Sequence, residues 1–215
     1  MWSLKSGIAR RGLARNWLAA AAALVVLGPA AATAGEDAAA ERAWAALREG
    51  RAVAVMRHAT APGTGDPSGF RPGDCATQRN LSAAGREEAR AIGRAFRAHG
   101  IAAAEVYSSR WCRCLETARL LGLGPVEPLP ALDSFFRDRS RGDDQTAALR
   151  AFIMEQGNAG RARVFVTHQV NVTALTGVHP RSGQVVVVEP AGDGAPLRVV
   201  GSIPPPTGLD PAAGT

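Results

Sequence analysis

The chain has 215 residues, room for one ordinary domain and too few for two comfortable ones. With 46% hydrophobic and 20% charged residues it has the composition of a globular chain, which excludes a disordered one. Only 5% of residues are aromatic, so Ala, Val and Leu must build most of the core.

The net charge of +6 owes much to the first segment. Lys5, Arg10, Arg11 and Arg15 precede an apolar run from Trp17 to Leu27, and Ala32-Thr33-Ala34 follows. A basic start, a short apolar stretch and an A-x-A site form the pattern of an export signal peptide over residues 1–34. The apolar stretch is too short to span a bilayer alone, and nothing later in the chain reaches that length. An uncleaved anchor is the alternative to removal, and Arg10-Arg11 leaves Sec and twin-arginine export both open. The expected product is periplasmic or secreted, without stable membrane insertion after cleavage. Removing those four cations from the 25 Lys and Arg leaves 21 against 19 Asp and Glu. So weakly cationic a domain, with no Lys/Arg run and no aromatic platform, gives no case for nucleic-acid binding.

Residues 38–49 read as a helix with Trp44 and Leu47 on one side, ended by Gly50. The continuous apolar run 52–56 reads as a strand buried on both faces. It stops at Arg57-His58, where a Gly/Pro-rich loop over residues 62–74 begins. Ser82 is placed as the N-cap of a helix reaching about Ala98, with Ala89, Ile92, Ala95 and Phe96 at helical spacing. A strand over 105–108 and a helix over 112–121, ended by Gly122, come next. Residues 125–144 read as irregular and 145–156 as a helix. Residues 164–167 form another buried strand, ending at His168. Strands over 185–188 and 198–200 flank Gly192-Asp193-Gly194, and residues 204–215 are a Pro/Gly/Ala-rich tail expected to be disordered. Helices alternating with strands predict an α/β sandwich, three layers around a mostly parallel sheet, spanning residues 35–203.

Such sheets bind ligands at the carboxyl ends of their strands. Arg57-His58 and Thr167-His168 each stand directly after a predicted strand, so two strand ends bring a histidine to one edge. A neutral imidazole is a nucleophile towards phosphorus. Phosphoryl transfer also needs cations around the nonbridging oxygens, and a guanidinium supplies paired donors. Arg57 adjoins His58, and Arg113 starts a helix, where free N–H groups favour an anion. The three cysteines, Cys75, Cys112 and Cys114, suit export and one disulfide, with Cys75 bridged to Cys112 or to Cys114 and one thiol left over. They lack the paired C-x-x-C of a zinc site. No H-E-x-x-H or carboxylate cluster suggests another metal, so neither metal nor cofactor is expected.

Four ordered segments resemble the histidine phosphatase superfamily, the phosphoglycerate mutase-like proteins. Met56-Arg57-His58-Ala59 is similar to its nucleophile motif. Ser108-Ser109-Arg110-Trp111-Cys112-Arg113-Cys114-Leu115-Glu116-Thr117-Ala118 resembles the S-S-x-x-x-R-x-x-x-T-A segment with its phosphate-binding arginine. Residues 164–168 resemble the strand carrying the second histidine, and Asn80-Leu81-Ser82-Ala83-Ala84-Gly85 resembles the L-[ST]-x-x-G helix start.

The resemblance implies a phosphatase in which His58 is phosphorylated and then hydrolysed, with Arg57, Arg113 and His168 holding the phosphate. It also shows departures. Gln169 follows His168 where one branch has an acidic donor, and Leu132-Asp133-Ser134 lacks the Glu of another branch. Asp133 is the nearest candidate proton donor and Asp138 the next. Phosphoramidates or pyrophosphates, with good leaving groups, would need little acid help. Arg110 is either a substrate-facing cation or a solvated one, while His99 and His179 match nothing and are expected at the surface. Small size and an exported character resemble small bacterial members, some linked to lipopolysaccharide phosphate. A small phosphorylated substrate, including an envelope glycolipid phosphate, is the expected partner. A phosphate-binding protein with little turnover is the alternative function.

Overall fold

The computed structural model describes residue 2 and residues 29–155, 160–191 and 197–207. Most of the expected leader, the turn at residues 192–194, the helix end at Gln156 and the tail beyond residue 207 lie outside the described residues.

Six strands form one sheet: β1 (Val53–Arg57), β2 (Glu105–Ser108), β3 (Val126–Pro128), β4 (Arg163–Thr167), β5 (Val185–Glu189) and β6 (Arg198–Ile203). Their order across the sheet is β3-β2-β4-β1-β5-β6. The first four are parallel, and β5 and β6 add an antiparallel margin. The expected α/β sandwich around a mostly parallel sheet is thus the observed fold.

Both faces of the central strands are buried, which is why they read as unbroken apolar runs. Ala54, Met56, Val164, Val166, Val185 and Val187 face one cluster; Val53, Val55, Phe165, Val186 and Val188 face the other. Helices α1 (Pro29–Arg48), α2 (Ala83–Ala98) and α3 (Cys112–Leu121) cover the first face through Trp44, Leu47, Ile92, Phe96, Ala118 and Leu121. Helices α4 (Gly142–Glu155) and α5 (Gln169–Thr176) cover the second through Leu149, Ile153, Val172 and Leu175.

Helix α2 begins where the sequence places it, with Ser82 Oγ accepting from Gly85 N–H at 2.9 Å. Gly93 lets this helix approach α3: a Cβ there would sit 2.0 Å from the carbonyl oxygen of Leu121. Gly85 does the same against the carbonyl oxygen of Thr60. Helix α1 starts at Pro29, nine residues before the expected start at Ala38. Proline suits a first helical position, and the Ala-rich residues after it favour continuation. Helix α4 starts at Gly142 instead of Gln145, with Asp143 and Asp144 in its first turn complementing the helix dipole. The segment 125–144, read as irregular, contains the short edge strand β3 and two single-turn 3-10 helices.

Cys75 and Cys112 form the disulfide, with Cα atoms 5.7 Å apart, which resolves the open choice of partner. It ties the β1–α2 loop to the first residue of α3. Closing a loop of 37 residues stabilises the fold by about 4 kcal/mol in the chain-entropy account. Cys114 is the free thiol and is buried.

Candidate active site

The register of the parallel pairs assembles the site. Arg57 of β1 stands opposite Thr167 of β4, and His58 N–H donates to the Thr167 carbonyl at 2.9 Å. The next residue on each strand is therefore a histidine beside a histidine. Their ring centroids lie 5.5 Å apart. Strand β2 pairs with the other side of β4, Ser108 opposite Val166, and ends next to the start of α3. That turn brings Arg113 between the two imidazoles.

Arg113 is 2% exposed. Its Nε donates to His58 Nε2 at 3.2 Å and its Nη2 to His168 Nδ1 at 3.3 Å. A guanidinium only donates, so both ring nitrogens accept. On the far side of the His58 ring, Nδ1 lies 2.8 Å from the Ala59 carbonyl and must carry the proton to donate to it. His58 is thus held as the neutral Nδ1–H tautomer, its Nε2 lone pair accepting from Arg113 at the wall of the cavity. Burial first, and then the charge of Arg113, lower its pKa to about 3. Burial and Arg113 also hold His168 well below the ordinary imidazole value.

The cavity in front of these rings is lined by Arg57, Arg79, Arg113, His58 and His168, with Asp66, Trp111, Phe136 and Arg137 among its walls. Arg57 donates from Nη1 to the Pro180 carbonyl at 3.2 Å, and its buried Nε has no hydrogen-bond partner. The sequence-derived set Arg57, His58, Arg113 and His168 therefore converges on one cavity.

Three lining residues, Asp66, Arg79 and Arg137, escaped the sequence reading. Asp66 pairs with Arg113, Oδ1 at 2.6 Å from Nη1 and Oδ2 at 3.2 Å from Nη2. It also accepts from Trp111 Nε1 at 3.0 Å. Burial pushes the Asp66 pKa up, but the hydrogen bonds and charge of Arg113 outweigh it and hold the carboxyl below its usual value. Arg79 donates from Nε to the Gly65 carbonyl at 2.8 Å and from Nη1 to the Ala61 carbonyl. Trp111 stacks on Phe70 at 5.0 Å, and Arg137 Nη2 donates to the carbonyls of Asp66 and Pro67. These contacts fold the Gly/Pro-rich loop over the cavity. The only sequence signals were the Asp between Gly65 and Pro67 and the Arg before Asn80-Leu81-Ser82.

Asp133 does not line the cavity. Its carboxylate is 1% exposed and accepts from the Arg110 backbone N–H at 2.9 Å, from Arg110 Nε at 2.7 Å and from Ser109 Oγ at 3.3 Å. Arg110 is spent on that pair and does not line the cavity either. Asp138 is exposed and accepts from Ser140 Oγ. His99 stacks on Trp44 at 4.2 Å, and the exposed His179 meets Gln169 at 3.1 Å, both outside the cavity lining. Among the described residues no three His, Cys, Asp or Glu side chains gather as a metal site.

The family model of the histidine phosphatase superfamily (branch 1) matches residues 53–168, from the first residue of β1 to His168. The chain belongs to the histidine phosphatase superfamily. No curated protein matches the chain. Among solved structures it is similar to the protein histidine phosphatase SixA complexed with tungstate. That match has 18% identity and a TM-score of 0.51, and covers 72% of this chain and 97% of that one. It is also similar to a mycobacterial glucosyl-3-phosphoglycerate phosphatase complexed with VO3. There identity is 16% and the TM-score 0.50, covering 69% of this chain and 96% of that one. At these identities the likeness is one of fold, and this histidine phosphatase relative must be read from its own cavity.

Two outcomes follow from the charges in it. In an unfolded chain His58 takes up a proton near pH 6.5, whereas the folded site keeps it neutral down to about 3. The neutral ring therefore favours folding above the unfolded value, and this contribution is lost as pH falls below it. Between pH 7 and pH 5 the loss for one such histidine is about 2 kcal/mol. Urea unfolding at both pH values should show the wild type losing that much more than His58→Ala. Separately, Asp66 holds the two Arg113 donors that an anion would use. Asp66→Ala should bind inorganic phosphate more tightly, by about tenfold for one charge-assisted pair no longer competing. Calorimetry at pH 7 giving equal or weaker binding would show that Asp66 does not compete.

Proposed function

We propose that this chain is a phosphatase that hydrolyses a small phosphorylated substrate through a transient phosphohistidine on His58. The observation that carries the reading is the His58 ring. It is neutral, fixed through Nδ1 to the Ala59 carbonyl, and its unprotonated Nε2, which accepts from Arg113, borders a cavity lined by Arg57, Arg79, Arg113 and Arg137.

Arg57, Arg113 and His168 would bind the nonbridging phosphoryl oxygens, with Arg113 turning from Asp66 and from His58 Nε2 to the phosphoryl group and so freeing the Nε2 lone pair. The unpartnered Arg57 Nε is a donor ready for such an oxygen. Nε2 of His58 then attacks phosphorus, a P–N bond forms, and the bond to the leaving group breaks with its electron pair. Water next attacks phosphorus, the P–N bond breaks, and inorganic phosphate leaves His58 as it began. Paired guanidinium donors in a desolvated site stabilise the charge that develops on the oxygens, so no metal or cofactor enters the scheme. Asp66 is the only carboxylate among the lining residues and is engaged by Arg113, which favours substrates with good leaving groups, such as phosphoramidates or pyrophosphates.

Quenching during turnover should trap an acid-labile, base-stable phosphoryl group on His58. His58→Ala should lose both the label and turnover. Tight phosphate binding by the wild type without release from any substrate would instead favour a phosphate-binding protein. Normal turnover by His58→Ala would overturn the mechanism.

We also infer export, as a small bacterial member of the family, with residues 1–34 removed and the mature chain periplasmic or secreted. The leader-like composition and the Cys75–Cys112 disulfide support this, since disulfides persist in oxidising compartments. An envelope glycolipid phosphate would be a substrate within reach there. N-terminal sequencing of fractionated cells should find an end near Gly35 outside the cytoplasm. An intact Met1 in the cytosol would reject export.

A further inference from the structure

Behind His168 runs a hydrogen-bonded chain that the scheme above leaves unused. Nδ1 of His168 accepts from Arg113, so the single proton of the neutral ring belongs on Nε2. Nε2 lies 2.8 Å from Ser109 Oγ. The hydroxyl accepts that proton and turns its own towards Asp133 Oδ1, at 3.3 Å. Ser109 is fully buried and also accepts from the Trp111 backbone N–H. Asp133 is fixed in turn, its side chain by Arg110 and its carbonyl by Asn171 Nδ2 at 2.8 Å.

Resting on the phosphatase reading, we infer that Ser109 and Asp133 are positioning residues that hold His168 as the Nε2–H tautomer and support its imidazolium when Nδ1 takes up a proton beside the bound phosphoryl group. Asp133, the expected proton donor, thus acts one step removed from the substrate. No proton moves onto it.

The surroundings of His168 show why a carboxylate is needed there. Arg113 of α3, His58 and Arg57 at the end of β1, and Arg79 of the loop all oppose a positive charge on the ring. The Cys114 thiol, 3.4 Å from Nε2, is pushed up to about 12 by burial and brings no negative charge. Asp66 is held in front by Arg113. Asp133, through Ser109, is the negative charge connected to the back of the ring. When a phosphoryl dianion in front draws the Arg113 donor off Nδ1, Nδ1 can take a proton from solvent water and pass it to a phosphoryl or leaving oxygen, returning to the neutral ring, while Nε2–H remains on Ser109. A histidine serving as both donor and acceptor needs its far nitrogen fixed in this way.

The first measurement needs no variant. Nitrogen NMR of the ligand-free wild type at pH 7, assigned with His168→Asn, should show His168 protonated at Nε2 and bare at Nδ1. An Nδ1–H tautomer would overturn the inference. Asp133→Asn and Ser109→Ala should each mix the tautomers and lower kcat by roughly a hundredfold, the lower end of the general acid range. Because removing the carboxylate makes the imidazolium harder to form, the alkaline limb of kcat should move down by roughly one pH unit. The double variant should lose little more than either single one. Folded variants with the wild-type tautomer and pH profile would overturn the inference; if neither variant folds, the wild-type tautomer decides. A wild type without turnover would end the phosphatase reading instead, with the tautomer measured independently.

Discussion

A guanidinium buried to 2% exposure is the constraint around which this site is organised. Taken out of water, such a charge must be paired and its donors used. Arg113 meets that requirement with Asp66, the Arg79 carbonyl and one nitrogen from each histidine. Because it can only donate, it assigns a lone pair to His58 Nε2 and another to His168 Nδ1. The tautomers of both rings therefore follow from one cation. So does the path of the β1–α2 loop, which must carry Asp66 back over α3 to reach it.

The sheet supplies the precision that the cation needs. Parallel pairing of β1 with β4 and of β4 with β2 places three strand ends side by side, and each contributes to the cavity. Side chains packed on both faces resist a register slip, which would carry a histidine away from the cavity. The glycines of α2 add a second restraint. With no Cβ at Gly85 and Gly93, the helix lies against Thr60 and Leu121, and α3, with Arg113 in its first turn, is packed close to the sheet end.

How much of this was legible followed from how local each signal is. The apolar runs before Arg57 and His168 and the turn into α3 are short-range patterns, so the sequence indicated the sheet and the four converging residues. Strand β3 was not visible because three residues ending in Pro128 carry no periodicity. Helix α5 was not visible because Val170, Val172 and Thr173 read as strand formers and His168 offers no side-chain cap; burial of Val172 and Leu175 decides its state. Asp66 and Arg79 come from a loop whose path depends on contacts with α3, which no spacing rule encodes. Asp133 was noticed for its chemistry, but its orientation towards Arg110 and Ser109 depends on tertiary packing.

The Cys75–Cys112 bridge also changes how far the chain must search to build the site. His58 and Arg113 are 55 residues apart along the backbone. Through the bridge the covalent path between them shortens to about 18 residues, which lowers the entropic cost of bringing them together by about 1 kcal/mol. His168 gains no such shortcut, since Arg113 lies 55 residues before it on an unbridged segment. An oxidised chain therefore needs only one long search, for β4 to enter between β1 and β2. Oxidation of Cys75 and Cys112 thus favours the meeting of His58 with Arg113 ahead of that of Arg113 with His168.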